Sequence, residues 1–307
     1  GGLRVAGRKA VLYSRAATAR ERPLPESKRI SCGLGFVLQV WFSTVEPAAP
    51  LRSRLSKASM HWFDRLESDG FAILPGILTP AEVAAAIAAS AKALASADDD
   101  GSVFGRGGSP HGARNLLRLW PAAVELVRTP VLADAVRRVL GADAGVVHGL
   151  YFDKPPGDGW ALPWHRDTTV AVTAHGVGGR FGKFTVKAGV PHAEAPAEVL
   201  DRMLTVRVHL DAMAAANGPL RVVPGSHRAD VPTDAAVDVR CDAGDAVLMR
   251  PRLLHASAHC PPGHAGHRRV VHLELADGRE LPDGYEWHAF ERVRAEIFPR
   301  GLPTPAD

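Results

Sequence analysis

From Ala144 onward the chain breaks into short β-type runs separated by Pro/Gly turns: Val146 to Asp153, Phe184 to Ala188, Met203 to Leu210, Leu220 to Val223, Ala246 to Met249 and Val270 to Leu275. Runs of that length at short spacing predict a barrel or jelly roll. The stretch before them is helical. His61 to Ser68 reads as an amphipathic helix with Trp62, Phe63 and Leu66 on one face, stopped by Gly70. Phe71 to Leu74 is a short strand ended by Pro75-Gly76. Thr79-Pro80-Ala81-Glu82 is a capping box with proline at the first helical position, and predicts a helix running to about Ala97. Asp98 to Gly112 reads as a polar, glycine-rich loop. Pro121 to Leu140 reads as helical, interrupted by Pro130 and stopped at Gly141. Thr168 to Leu200, with four glycines from Gly176 to Gly182, is expected to cross the barrel mouth as a lid or substrate loop. The expected fold is mainly β with flanking α-helices, in one domain.

Residues 1–59 differ from the rest. They lack sustained periodicity and hold eleven Lys/Arg against three acids. That segment is +8, so the remainder of a chain of net charge +4 carries −4. A mildly acidic body is not suited to a polyanion, and no nucleic-acid partner is expected. The basic segment fits a targeting peptide, a disordered tail, or sequence upstream of a true start at Met60, the last two being favoured. The domain is accordingly expected to span residues 60–307. The apolar run from Cys32 to Phe42 is too short to span a membrane. Three scattered cysteines, Cys32, Cys241 and Cys260, make no CxxC pair, which fits a reducing, cytoplasmic setting. Nothing in the sequence indicates an oligomeric state.

Within the β-rich part lies Pro163-Trp164-His165-Arg166-Asp167. On a strand, residues two apart share a face, so His165 and Asp167 would point together and Arg166 away. An imidazole and a carboxylate on one face are two ligands of a 2-His-1-carboxylate iron site, which leaves coordination positions open. The third ligand must be a distant histidine, and His255, in Leu-Leu-His-Ala-Ser, is the best candidate. His227 follows Pro-Gly-Ser and is not expected to be a ligand. His209 and His272 read as packed or surface residues. His259, His264 and His267 lie in a Pro/Gly loop; His148 and His192 have no assigned role, although His192 is a candidate substrate contact.

Three further pieces follow in order. They are Asn217-Gly218-Pro219-Leu220 leading to Pro224-Gly225-Ser226-His227, then His255 with Ser257 two residues on, then Arg268-Arg269-Val270-Val271-His272-Leu273-Glu274. With His165 and Asp167, this order resembles the phytanoyl-CoA dioxygenase family of iron(II)/2-oxoglutarate oxygenases, over about Asp69 to Ala276. The resemblance implies a double-stranded β-helix, the cupin-like jelly roll. It implies Fe(II), with 2-oxoglutarate and dioxygen (O2) as cosubstrates. It also implies oxidative decarboxylation of 2-oxoglutarate to succinate and CO2, coupled to hydroxylation of a small or medium organic substrate, with an acyl-CoA left open. By the same resemblance His165, Asp167 and His255 are the metal ligands and Arg268 holds the distal carboxylate of 2-oxoglutarate. Ser257 and Arg207 are further cosubstrate contacts, and Arg114 could reach that site from the N-terminal part. Related halogenases carry Ala or Gly where Asp167 stands, so the aspartate implies hydroxylation. Apolar alternation favours Arg269 as the inward arginine, whereas spacing to the strand end favours Arg268. An inactive ligand-binding jelly roll and an unrelated cupin-type metalloenzyme are the alternatives.

Overall fold

The computed structural model describes residues 52–97, 99–106, 109–173 and 179–294. The expectation for residues 1–51 lies outside them. Helix α1, Arg52–Asp69, begins inside the segment read as unpatterned, because no Pro or Gly interrupts the chain before Gly70. Gly70 ends it with φ +83°. Helix α2, Pro80–Ala95, carries the capping box as expected: the Glu82 amide donates to Thr79 Oγ1, and the Thr79 amide donates to Glu82 Oε2. A four-residue helix α3, Leu116–Leu119, leads to a 3-10 stretch over Pro121–Arg128, and α4 spans Pro130–Leu140 up to Gly141. A last short helix, α5, is Ala197–Leu200.

The strands are β1 Phe71–Leu74, β2 Val103–Arg106, β3 Ser109–Ala113, β4 Gly145–Phe152, β5 Leu162–His165, β6 Thr169–Ala171, β7 Gly182–Lys187, β8 Val190–Glu194, β9 Met203–His209, β10 Leu220–Val222, β11 Val237–Asp238, β12 Ala246–Met249, β13 His255–Ser257, β14 Val270–Ala276 and β15 Glu291–Arg292. Among the described residues, a large antiparallel sheet runs β1-β12-β9-β14-β4-β3-β2, with β15 beside β4. A smaller sheet runs β11-β10-β13-β5, and a third runs β6-β8-β7. This is the mainly β, jelly-roll architecture with flanking helices that the sequence predicts.

Two expectations need correction. The polar stretch after Ala97 is not all loop, since β2 and β3 pair as a hairpin, with Phe104 opposite Gly112. A Cβ at Gly112 would stand 2.6 Å from the Tyr151 carbonyl oxygen, so the glycine is what lets β3 lie against β4 there. The segment from Thr168 to Leu200 is not a plain loop either. It folds into the β6-β8-β7 sheet and α5, and its residues 174–178 lie outside the described ones.

The pleat of β9, β14 and β4 divides their side chains between two faces. Val206, Val208, Val271, Leu273 and Leu275 join the main hydrophobic core with Val83 and Ala86 of α2 and Leu132 and Val136 of α4. Their neighbours along the strands turn to the other side. There His272 pairs in register with Arg207 and Leu150, and Glu274 pairs with Thr205 and His148. Among the described residues no helix is long and apolar enough to cross a membrane.

Candidate active site

Strands β5 and β13 are neighbours, and His165 pairs directly with His255 across them. Their ring centroids are 4.1 Å apart. Asp167 is not on the strand, as the i, i+2 reading assumed. Strand β5 ends at His165, and Asp167 is held just beyond it by its own amide, which donates to the Pro251 carbonyl at 2.9 Å. Arg166 is turned to the Arg252 and Ser226 carbonyls, at 3.0 and 3.2 Å, which pins this turn to the loop leading into His255.

The two imidazoles are oriented alike. His165 Nδ1 donates to the Pro163 carbonyl at 2.8 Å, and His255 Nδ1 donates to the Leu253 carbonyl at 2.9 Å. A carbonyl only accepts, so both Nδ1 atoms carry the proton and both Nε2 atoms present lone pairs. Each Nε2 lies 3.7 Å from one oxygen of Asp167. Asp167 Oδ2 is buried without a hydrogen-bond partner. Burial, partly offset by Asp167, lowers the pKa of His255 to about 4 and keeps it neutral. Two imidazole lone pairs and a carboxylate thus converge within 4.8 Å with no donor between them. That donor set suits a divalent cation, and nitrogen and oxygen ligands with hydrogen-bonded outer ring nitrogens are the pattern of a transition-metal site.

Behind the triad lie three buried cations. Arg268 is 2% exposed; its Nη2 donates to Ser257 Oγ at 3.3 Å and its Nη1 contacts Met213 Sδ at 3.4 Å. Arg207 donates from Nη1 to His272 Nδ1 at 2.9 Å. Lys154, fully buried, donates to the Gly218 carbonyl at 3.1 Å and to the Ala258 carbonyl. Among the described residues none of the three pairs with a carboxylate, and the Nε atoms of both arginines are buried without partners. Burial and the neighbouring Arg207 bring Arg268 down to about 10, while burial, Arg268 and Arg207 bring Lys154 down to about 7. Burying like charges together is costly unless an anion joins them, and a small dicarboxylate supplies that charge. The residues present therefore fit both a metal and an anionic cosubstrate.

The neighbouring Arg269 is not part of this cluster. It pairs with Asp211 at 2.7 Å and stays partly exposed. Arg114 is set apart too. It lines a cavity with His165, Asp167, His148 and Glu274, and Arg268, Ser257 and Arg207 do not line that cavity. His227 lies elsewhere, bonded to the Glu67 carbonyl at 3.2 Å. Its neighbour Ser226 accepts from the Leu254 amide at 2.8 Å and so braces the approach to His255. His209 and His272 are packed inside, not on the surface. The Asn-Gly-Pro-Leu turn also has a structural reason. Gly218 has φ +64°, and a Cβ there would lie 2.4 Å from the Ala258 carbonyl oxygen that Lys154 uses. Sequence reasoning missed Lys154 and Glu274. The available signal for Glu274 was its place two residues after His272 in the otherwise apolar strand β14.

A jelly roll with an iron-type triad at one sheet edge defines the class of this protein as a non-haem metal-dependent double-stranded β-helix. The sequence model of the phytanoyl-CoA dioxygenase (PhyH) family matches residues 66–260, and the chain belongs to that family. It is 31% identical over 169 residues to a protein named ectoine dioxygenase from Bordetella parapertussis, covering 53% of this chain and 47% of that protein. The chain thus spans about half the length of such relatives. The crystal structure of EctD from S. alaskensis with bound Fe shares the fold at TM-score 0.56 and 24% identity, over 78% of this chain and 87% of that one. EctD with 2-oxoglutarate and 5-hydroxyectoine superposes at TM-score 0.53 and 22% identity, over 72% of this chain and 76% of that one.

Proposed function

We propose that this chain is an iron(II)- and 2-oxoglutarate-dependent dioxygenase that hydroxylates a small organic substrate. The observation that carries the reading is the convergence of His165 Nε2, His255 Nε2 and Asp167 with no donor among them. Iron(II), with 2-oxoglutarate and dioxygen, would supply the oxidising chemistry: decarboxylation of the cosubstrate to succinate and CO2, and insertion of one oxygen atom into a substrate C–H bond.

The chain's own residues do the positioning. His165, Asp167 and His255 hold the metal, and the backbone bonds to the two Nδ1 atoms fix the imidazoles. Arg268 presents a planar fork to the distal carboxylate of 2-oxoglutarate, with Ser257 aligned beside it. Lys154 and Arg207 add positive charge to the same buried region. Val222 and Leu253 pack beneath the small sheet and support the β10 and β13 side of the site. The carboxylate at Asp167 fills a position that stays open in halogenating relatives, which supports hydroxylation.

The test is succinate formation from 2-oxoglutarate by protein reconstituted with iron(II). Parent protein is expected to form succinate in an iron-dependent manner. Asp167→Gly is expected to fold and to lose hydroxylation. An Asp167→Gly variant that hydroxylates at the parent rate would remove the aspartate from the site.

A further inference from the structure

Between the triad and the polar face of the large sheet lies a cavity of about 280 Å3. Its lining mixes charges and acceptors, and two half-buried cations stand on it. Arg114 lies with its guanidinium 4.4 Å over the Phe104 ring, and Lys187 donates from Nζ to Thr169 Oγ1 at 3.0 Å. Their segments are tied together, since Asn115 Nδ2 donates to the Ala188 carbonyl at 2.9 Å. Among the described residues neither cation has a carboxylate within ion-pair distance.

The same cavity carries acceptors, and His192 shares the face of the β7-β8 pair that bears Lys187. His192 Nδ1 donates to the Val190 carbonyl at 2.9 Å, so its Nε2 is a bare lone pair, and that atom is buried and unpartnered. Burial pushes this ring down to about 4, which keeps it neutral. Glu274 lies 3.5 Å from His148 Nδ1 and 3.6 Å from His272 Nε2, with no lysine or arginine among the described residues in ion-pair contact. Although burial opposes its charge, the two histidines hold its carboxyl well below the usual range, so it is ionised and only accepts.

We infer that the cavity selects a small acid. Its carboxylate or phosphate sits between Arg114 and Lys187, and its N–H or O–H donors face Glu274 and His192. This rests on the oxygenase reading and names the substrate class for that site. A fatty acyl chain is excluded on the same ground, because hydrocarbon would take water from two cations and a carboxylate without replacing it and leave the His192 ring nitrogen without a donor. The cosubstrate does not satisfy these acceptors either, since the 2-oxoglutarate dianion has no N–H or O–H to donate.

Calorimetric titration of the full chain, with and without iron(II) and 2-oxoglutarate in the absence of oxygen, tests the inference. The probes are the free amino acids, their 2-hydroxy acid counterparts and phosphoserine, the carboxamides of each acid, and palmitoyl-CoA. Acids with a donor group should bind, and the carboxamide of the best one should bind roughly ten- to a hundred-fold more weakly. Comparing serine with phosphoserine identifies the preferred anion. Arg114→Ala and Lys187→Ala should each weaken the best acid by a similar factor, Glu274→Gln should weaken it through the donor end, and Arg114→Lys should retain most of the affinity. Equal binding of acid and carboxamide, preference for palmitoyl-CoA, or no binding by any acid would overturn the inference. So would an Arg114→Ala variant that loses affinity for 2-oxoglutarate alone. Failure of iron-dependent succinate formation would instead overturn the oxygenase reading, and leaves the titration pattern to be read on its own.

Discussion

The two faces of strands β9, β14 and β4 differ as much as any two regions of this molecule. One carries Val206, Val208, Val271, Leu273 and Leu275, fully buried against the helices. The other carries Arg207, His272, Glu274 and His148, also buried yet polar. Both faces are inside the protein. In this barrel, apolar alternation therefore marks the helix-covered side, and the barrel interior is the polar side. The difference follows from what each face meets. Helices offer only apolar stripes, whereas in the proposed function the interior would hold a metal, a dicarboxylate and a substrate.

The largest contrast should come from exchanging one residue on each face. Leu273→Ala leaves a cavity under the helices and should lower stability by about 2–5 kcal/mol, while affinity for 2-oxoglutarate stays near parent. Arg268→Met removes an unpaired buried charge at similar volume, so stability should hold or rise. The lost charged hydrogen bond should cost about 2–4 kcal/mol in binding, roughly thirty- to a thousand-fold in affinity. Denaturant unfolding and cosubstrate titration of the two variants read both quantities. If Arg268→Met unfolds as easily as Leu273→Ala and still binds 2-oxoglutarate, the interior is structural.

The same contrast explains what the sequence disclosed. The six β-type runs between Val146 and Leu275, the capping box at Thr79 and the break at Pro130 were legible because each rests on local chemistry. His165, Asp167 and His255 were legible as a spaced motif. The choice between Arg268 and Arg269 was not legible from alternation, which pointed to Arg269. That arginine shares the apolar face of Val271 and Leu273 and leaves it at the rim to pair with Asp211. Lys154 was invisible because a lysine before Pro155-Pro156 reads as a solvated turn. Only the fold brings it beside Arg268. The helix from Arg52 and the hairpin of β2 and β3 escaped because their apolar periods are weak.

A smaller effect concerns protons. Free Lys154 has its pKa depressed to about 7 from an ordinary 10.5. A bound dianion favours the charged form and raises it. Above pH 7 the free lysine is largely neutral, so binding 2-oxoglutarate should take up as much as about one proton, and well below pH 7 the uptake should vanish. The same depression means that this group's contribution to folding stability rises with pH between about 7 and 10.5, where the unfolded chain holds the extra proton. Calorimetry in buffers of different ionisation enthalpy measures the uptake, and Lys154→Met should abolish it.

The smallest effect belongs to Arg269. Its pair with Asp211 is partly exposed, so Arg269→Ala should cost no more than about 1 kcal/mol of stability and leave affinity for 2-oxoglutarate unchanged. A cosubstrate defect in Arg269→Ala with none in Arg268→Met would exchange the roles of the two arginines.

The central claim is that His165, Asp167 and His255 hold one iron ion. Iron content after reconstitution, with 2-oxoglutarate present and oxygen excluded, tests it most directly. The account predicts one iron per chain in the parent, and loss of bound iron in both His165→Ala and His255→Ala with the circular dichroism of the fold retained. Full iron stoichiometry in both variants would contradict it.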